Sequence, residues 1–204
     1  MKKALLFDVE TTGLNHKLDQ IIEFGGILLD ENMNVIEEIS TFVKCDDPLP
    51  AKIIEITNIT DDMLLDGINE EELANKLNQL VDEETVLIAY NVQFDIGFFI
   101  SLLERFNLKF KNNMVIDCMV VYKDRHPYPH RLLNDIEKYK LDGVNSHRAL
   151  DDALATLELY KKMDAEDAIR PFYENRISYH SKYGLNGYKL PYVTYFPYVY
   201  KNHY

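Results

Sequence analysis

Asp8 and Glu10 stand two residues apart in the stretch FDVETTG, at the end of the apolar run 4–7. In an extended chain residues i and i+2 point to the same side, so the two carboxylates face together while Phe7 and Val9 face into apolar packing. Carboxylate oxygens are hard ligands suited to Mg2+ or Mn2+, and a divalent cation would turn their mutual repulsion into a binding site. Gly13 and Asn15 then end the strand. On its own the pair reads equally well as a solvated strand end with two acids.

Two further stretches carry acids with the same demand. In YNVQFDIGF, Asp95 falls in the first turn of a helix that follows a buried strand. An acid there complements the helix dipole, but Asp95 also shares a face with Phe99 and Leu102. That face looks toward the sheet, where a carboxylate needs a partner. In SHRALDDA, Asp152 shares its face with Ala155, Thr156 and Leu159, whereas Asp151 lies about 100° round and faces outward. Ser146 can cap this helix. His147 is five residues before Asp152, off that face, so it reaches the same place only from the helix start or the loop before it; alone it reads as surface decoration. Together, Asp8, Glu10, Asp95 and Asp152 come from three separate elements as the ligand set of a two-metal phosphoryl-transfer site. His147 beside them is a candidate general base for a water.

FDVETTG, YNVQFDIGF and HRALDDA resemble, in order and spacing, the three motifs of the DEDDh 3′–5′ exonucleases. That family includes the proofreading epsilon subunits of bacterial replicative polymerases and related ribonucleases that trim RNA ends. ITNITDDML, 56–64, is similar to the family's hydrophobic segment before its second motif. The resemblance covers residues 3–163, and a histidine five before the last aspartate, rather than a tyrosine four before, selects the His subclass. It implies a ribonuclease-H-like fold and hydrolysis of phosphodiesters from the 3′ end of single-stranded DNA, releasing nucleoside 5′-monophosphates in proofreading or repair. Asp8, Glu10, Asp95 and Asp152 would hold two divalent cations, Mg2+ or Mn2+, and His147 would take a proton from the attacking water. Thr11 would contact the sugar end of the terminal nucleotide, Leu14 and Ile59 would pack on its base, and Tyr90, Asn91 and Phe94 would shape the substrate groove. Tyr90 stands where many members carry histidine and Asn58 where many carry glycine; neither touches the metals.

The implied partners are single-stranded 3′ ends, DNA ahead of RNA, and a DNA polymerase subunit in trans. Two other readings stay open. One is an exoribonuclease for short RNA or RNA 3′ tails, which the 2′-OH would distinguish. The other is an inactive module that binds nucleic acid or a polymerase; loss of any of the five acid or base residues would favour it, and all five are present.

The elements that must position these residues follow from periodicity. Strands are expected at 3–9, 19–29 and 35–43, an antiparallel trio, and at 85–90 and 114–117. Helices are expected from an Asn69/Glu72 capping box to about 81, and over 94–106, 131–140 and 147–163. Asp117 can cap whatever follows its strand, and DDPLP, 46–50, is a loop. Strands first, then strand–helix alternation, give an α/β fold: one mixed five-stranded sheet flanked by helices.

The 204 residues suffice for one domain with an appendage, divided here as an exonuclease domain, 1–165, and a Tyr/Pro-rich C-terminal extension, 166–204, that holds nine of the fourteen tyrosines. No apolar run reaches membrane-span length. The N-terminus mimics a signal peptide until Asp8 interrupts it. Two scattered cysteines build no disulfide framework, so a reducing, cytoplasmic setting is expected. The net charge of -12 argues against nucleic acid, but it is uneven. Residues 1–104 carry 6 Lys/Arg against 22 Asp/Glu, whereas 105–148 carry 9 against 5 and 170–204 carry 5 against 1. Lys109, Lys111, Lys123, Arg125, Arg131, Lys138, Lys140 and Arg148 read as phosphate-tracking residues or as a solvated face. His126 and His130 lack the cysteine pair that would support zinc. LPYVTYFPYVY, 190–200, is expected to pack on its own domain or on a second copy of the chain, ahead of contacting nucleic acid, with its prolines confining it to an edge.

Overall fold

The computed structural model describes residues 3–182, 184–185 and 187–198. β1 (Lys3–Thr11), β2 (Ile21–Asp30) and β3 (Val35–Phe42) form the expected antiparallel trio. β4 (Val86–Ala89) pairs parallel to β1 and β5 (Val115–Asp117) parallel to β4, giving one sheet in the order β3-β2-β1-β4-β5. The helices are α1 (Ala51–Thr57), α2 (Asp61–Leu64), α3 (Glu70–Leu80), α4 (Val92–Arg105), α5 (Cys118–Arg125), α6 (Leu132–Tyr139) and α7 (Ala149–Glu166).

Alternation along β1 sorts the core. Leu5, Phe7 and Val9 pack with α3 and α4, whereas Ala4 and Leu6 on the opposite face pack with residues of α5, α6 and α7. The capping box forms as expected: Asn69 Oδ1 accepts from the Glu72 N–H at 2.8 Å and Glu72 Oε2 from the Asn69 N–H at 2.9 Å. Three short helices go beyond the expected set. α1 closes on Asn58, whose left-handed backbone (φ 57°) lets its N–H bond Ile54 O. This is the position at which many members of the resembled family carry glycine, and asparagine is the non-glycine residue that best tolerates that conformation. α5 follows β5 without a loop, capped by Asp117.

The C-terminal extension forms a second, two-stranded parallel sheet, β6 (Arg176–His180) and β7 (Thr194–Tyr198). Ile177, Leu190 and Val193 join the apolar cluster that holds Phe7 and Phe99. Asn175 fixes the entry, donating its N–H to Val115 O at 2.9 Å and accepting from the Val115 N–H at 3.0 Å. The described part of the extension therefore packs on its own domain, and Pro197 lies in the edge strand β7. The last residues of the expected extension, 199–204, and Met1 and Lys2 of the N-terminal stretch lie outside the described residues.

α7 crosses β2 at Gly25, where a Cβ would sit 2.2 Å from the backbone of Ala149 and Leu150. No side chain fits between them. Gly25→Ala is expected to destabilise the protein by at least about 2 kcal/mol, read from urea unfolding; a variant as stable as the parent would show that α7 can lift off β2 freely.

Candidate functional site

Asp8 and Glu10 leave β1 on the face of Ala4 and Leu6, both half-buried. Asp8 lies opposite Gly25 and Glu10 opposite Glu23, and the register slips between Glu10 and Thr11. That slip marks a bulge, which ends regular pairing beside the acids. Asp95 is 2% exposed in the first turn of α4. It is brought there by Asn91, whose left-handed backbone (φ 65°) turns the chain from β4 into α4 and whose N–H donates to Asp117 Oδ1 at 3.0 Å. The same oxygen accepts from the Met119 N–H at 3.0 Å, so one buried carboxylate ties the starts of α4 and α5.

Asp152 is buried on α7. Asn145 Nδ2 donates to its Oδ2 at 2.5 Å and the Ser146 N–H to its Oδ1 at 3.0 Å. The cap expected at Ser146 is not made, because α7 begins two residues later than expected; the Ser146 hydroxyl donates instead to Asp151 Oδ2 at 2.7 Å. His147 sits in the preceding loop, exposed, with φ 55°. That backbone brings its ring to the site from outside the helix face. Glu10, His147 and Asp152 each offer a ligand atom within 4.8 Å of the others. Two oxygens on one Mg2+ are about 4.2 Å apart at most, so this spacing suits a shared cation after a small adjustment.

A fifth acid lies outside the three motifs. Glu23 is 1% exposed on β2. It accepts from Arg148 Nη2 at 2.8 Å and Nε at 3.1 Å, and from the Ala149 N–H, at the start of α7, at 3.0 Å. A lone acid inside the apolar strand IIEFGGILLD was the available signal, since a buried glutamate must have a partner.

The electrostatics follow from crowding. Burial, then Asp95, Glu10, Asp152 and Glu23, push the Asp8 carboxyl well above the usual range. Burial, then Asp152 and Glu23, push Glu10 up to about 8 against the opposing pull of Arg148. Burial raises Asp152 to about 6, partly offset by the Ser146 amide and His147. Burial raises Asp95 as well, and Asp117 and Glu10 add to it. The carboxylates are hard oxygen donors whose repulsion a bound cation would relieve, so the set fits divalent metal.

The residues expected to touch substrate divide. Leu14 is 86% exposed and, with Asn91 and Phe94, lines an open cleft; Asp95 follows Phe94 in the first turn of α4. Thr11 is buried and its hydroxyl donates to Gly13 O at 2.6 Å, so its side chain braces the turn that presents Leu14. Ile59 is fully buried with Ile22, Leu49 and Leu64; packing in this satellite core leaves no face for a base. Tyr90 turns away from the cleft into the core under α6, where its hydroxyl donates to Asp135 Oδ2 at 2.7 Å. Several expected phosphate-tracking cations are also spent inside the fold. Lys111 bonds Asn78 O and Val81 O at the end of α3, Arg125 bonds Met163 O and Asp167 O at the end of α7, and Arg148 holds Glu23. Cations suit those carbonyl-rich helix ends. His126 meets the Tyr139 hydroxyl and His130 the His126 carbonyl. Among the described residues no helix is long and apolar enough to cross a membrane.

The RNase_T family, described as Exonuclease, matches residues 5–160. The chain is 35% identical over 186 residues to the DNA polymerase III PolC-type of Halalkalibacterium halodurans, a match spanning 89% of this chain and 12% of that protein. With the PolC-type polymerase III of Bacillus subtilis it shares 33% over 187 residues, again 89% of this chain and 12% of that one. The chain thus spans about an eighth of these relatives. In fold it is similar to Escherichia coli Exonuclease I in complex with a dA16 oligonucleotide, with a TM-score of 0.73 at 23% identity, over 82% of this chain and 42% of that one.

Folded Glu10 and Asp152 keep their protons to about pH 8 and about pH 6, whereas unfolded carboxyls lose theirs near about pH 4. Between those limits the unfolded state binds fewer protons, so metal-free protein loses stability as pH rises from about 5 to about 8. Mg2+ displaces those protons, so at a hundredfold excess over Kd it is expected to add about 2–3 kcal/mol of stability, and to raise the melting temperature more at the upper end. Thermal melts of chelator-treated protein across that range check this; a metal-free melting temperature that climbs with pH contradicts it.

Proposed function

The chain belongs to the RNase_T exonuclease family, and on that premise we propose that it is a metal-dependent 3′–5′ exonuclease acting on single-stranded DNA. The observation that carries the reading is the approach of Glu10, His147 and Asp152 within 4.8 Å of one another, with Asp8 and Asp95 crowding the same place. Asp8, Glu10, Asp95 and Asp152 would hold two divalent cations, Mg2+ or Mn2+, whose charge polarises the scissile phosphate and eases deprotonation of water. His147, exposed on its loop, takes the proton of the attacking water. Asp152 holds that loop through Asn145 and Ser146, and the Glu23–Arg148 clamp ties it to β2. Leu14 and Phe94 offer apolar surface to the terminal base, and Asn91 closes the groove at the end of β4. Proofreading alongside a polymerase in trans is the setting favoured by kinship with PolC-type polymerases.

The test is a 5′-labelled single-stranded oligonucleotide, as DNA and as matched RNA, incubated with Mg2+. A ladder that shortens from the 3′ end and releases nucleoside 5′-monophosphates is expected, faster on DNA. Full-length substrate that persists, or cleavage that starts at the 5′ end, sinks the proposal. Asp8→Ala and His147→Ala are each expected to lower kcat by at least about a hundredfold. A His147→Ala enzyme at near-parental rate removes the general-base assignment alone.

A further inference from the structure

The cleft beside Leu14 has a second wall that no catalytic motif supplies. It encloses about 310 Å3, at the lower end of the range for small-ligand sites. Leu14, which follows β1, and Asn91 and Phe94, at the start of α4, line it together with Lys123 of α5 and Ser178, Tyr179 and His180 of β6. Ser178 is 8% exposed, yet its hydroxyl has no hydrogen-bond partner among the described residues. Such a group costs free energy unless something meets it, and this one lines an open cleft. Lys123 Nζ lies 5.6 Å from the centroid of the Tyr198 ring, which keeps a cation at this wall. The wall is firmly based: Asn175 is bonded to β5, Ile177 is in the core, and Gln93 of α4 donates to Tyr188 O at 3.3 Å. The two chain segments with a basic balance, 105–148 and 170–204, meet here through α5 and β6.

We propose that this cleft is a strand-binding subsite for the nucleotides that precede the 3′ end of a single-stranded nucleic acid. Lys123 and Ser178 Oγ meet a backbone phosphate, and Tyr179 offers a ring face to a base next to the terminal one held by Leu14 and Phe94. The C-terminal extension is then part of the substrate groove, and Lys123 is the cation of the 105–148 segment that serves it. This rests on the exonuclease reading above for where the 3′ end lies.

Fluorescence anisotropy of 5′-fluorescein-dT10, with Ca2+ in place of Mg2+ to keep the strand intact, tests it on the full chain. Lys123→Gln and Tyr179→Ala are each expected to weaken binding about 5- to 50-fold, while Tyr179→Phe, which keeps the ring, binds as the parent does. Lys123→Gln should also flatten the log–log salt dependence by about one unit. If Tyr179→Ala melts early, Lys123→Gln decides alone. Affinity unchanged by Lys123→Gln, or a parent chain that does not bind dT10, overturns the subsite. A strand whose binding both substitutions weaken, but which is never shortened in Mg2+, leaves the subsite standing and removes the exonuclease reading. A strand shortened in Mg2+ and bound equally by all variants does the reverse.

Discussion

A helix backbone can touch a strand only where the strand carries no side chain, and α7 meets β2 in this way at Gly25. Asp8 lies directly across from Gly25 on β1, so the contact sets α7 beside the first of the clustered acids. Two residues along, Glu23 closes the arrangement by accepting the Ala149 N–H and both faces of the Arg148 fork. The carboxylate meets the positive end of the helix and the guanidinium at once, and Arg148 also lies 5.1 Å from the Phe42 ring centroid. Arg148 is partly exposed and Glu23 is buried, so removing the guanidinium leaves a buried acceptor short of partners, at a cost of about 1–3 kcal/mol. What the clamp secures is the loop 145–148, and with it the height of His147 and the rotation of Asp152.

The clamp also explains how the fold tolerates so much negative charge. Asp8, Glu10, Asp95 and Asp152 repel one another, and Arg148 is a cation that draws Glu10 back toward ionisation. Arg148 gives its hydrogen bonds to Glu23, so its pull on Glu10 offsets only part of the repulsion. The remaining compensation must come from protons or from divalent cations in solution. The crowding that weakens each carboxyl as an acid is the same crowding that favours a doubly charged guest, because one such ion relieves several repulsions together.

Much of this was legible in sequence because it depends on local periodicity. The two-residue step of Asp8 and Glu10, the helical faces of Asp95 and Asp152, and the Asn69/Glu72 box need no knowledge of distant contacts. Departures arise where tertiary partners decide. Ser146 has the chemistry of a cap, but Asp151 and Asp152 claim it and α7 starts later. Ile59 and Tyr90 lie in or beside the right stretches, yet a satellite core and the Asp135 carboxylate take their side chains inward. Arg125 and Lys111 look like phosphate ligands in a charge count and are helix-end ligands in space. Glu23 stands out as an acid in an apolar strand, but its partners, Arg148 and the Ala149 N–H, lie more than a hundred residues away, so local periodicity does not reveal its role.

The extension shows how a compositional boundary can mislead about cooperation. Tyrosine and proline content changes after Arg170, which suggests a separable appendage. Yet Ile177, Leu190 and Val193 are buried in the same cluster as Phe7, whose strand carries Asp8 and Glu10. β6 is tied through Asn175 to β5, and β5 ends in Asp117, the carboxylate that orients Asn91 and so α4. A change in β6 therefore has a short, bonded route to the helix that carries Asp95. Because packing density resists local adjustment, the extension and the acidic site share one mechanical frame, and an edge strand that seals the core is also placed to border whatever the site binds.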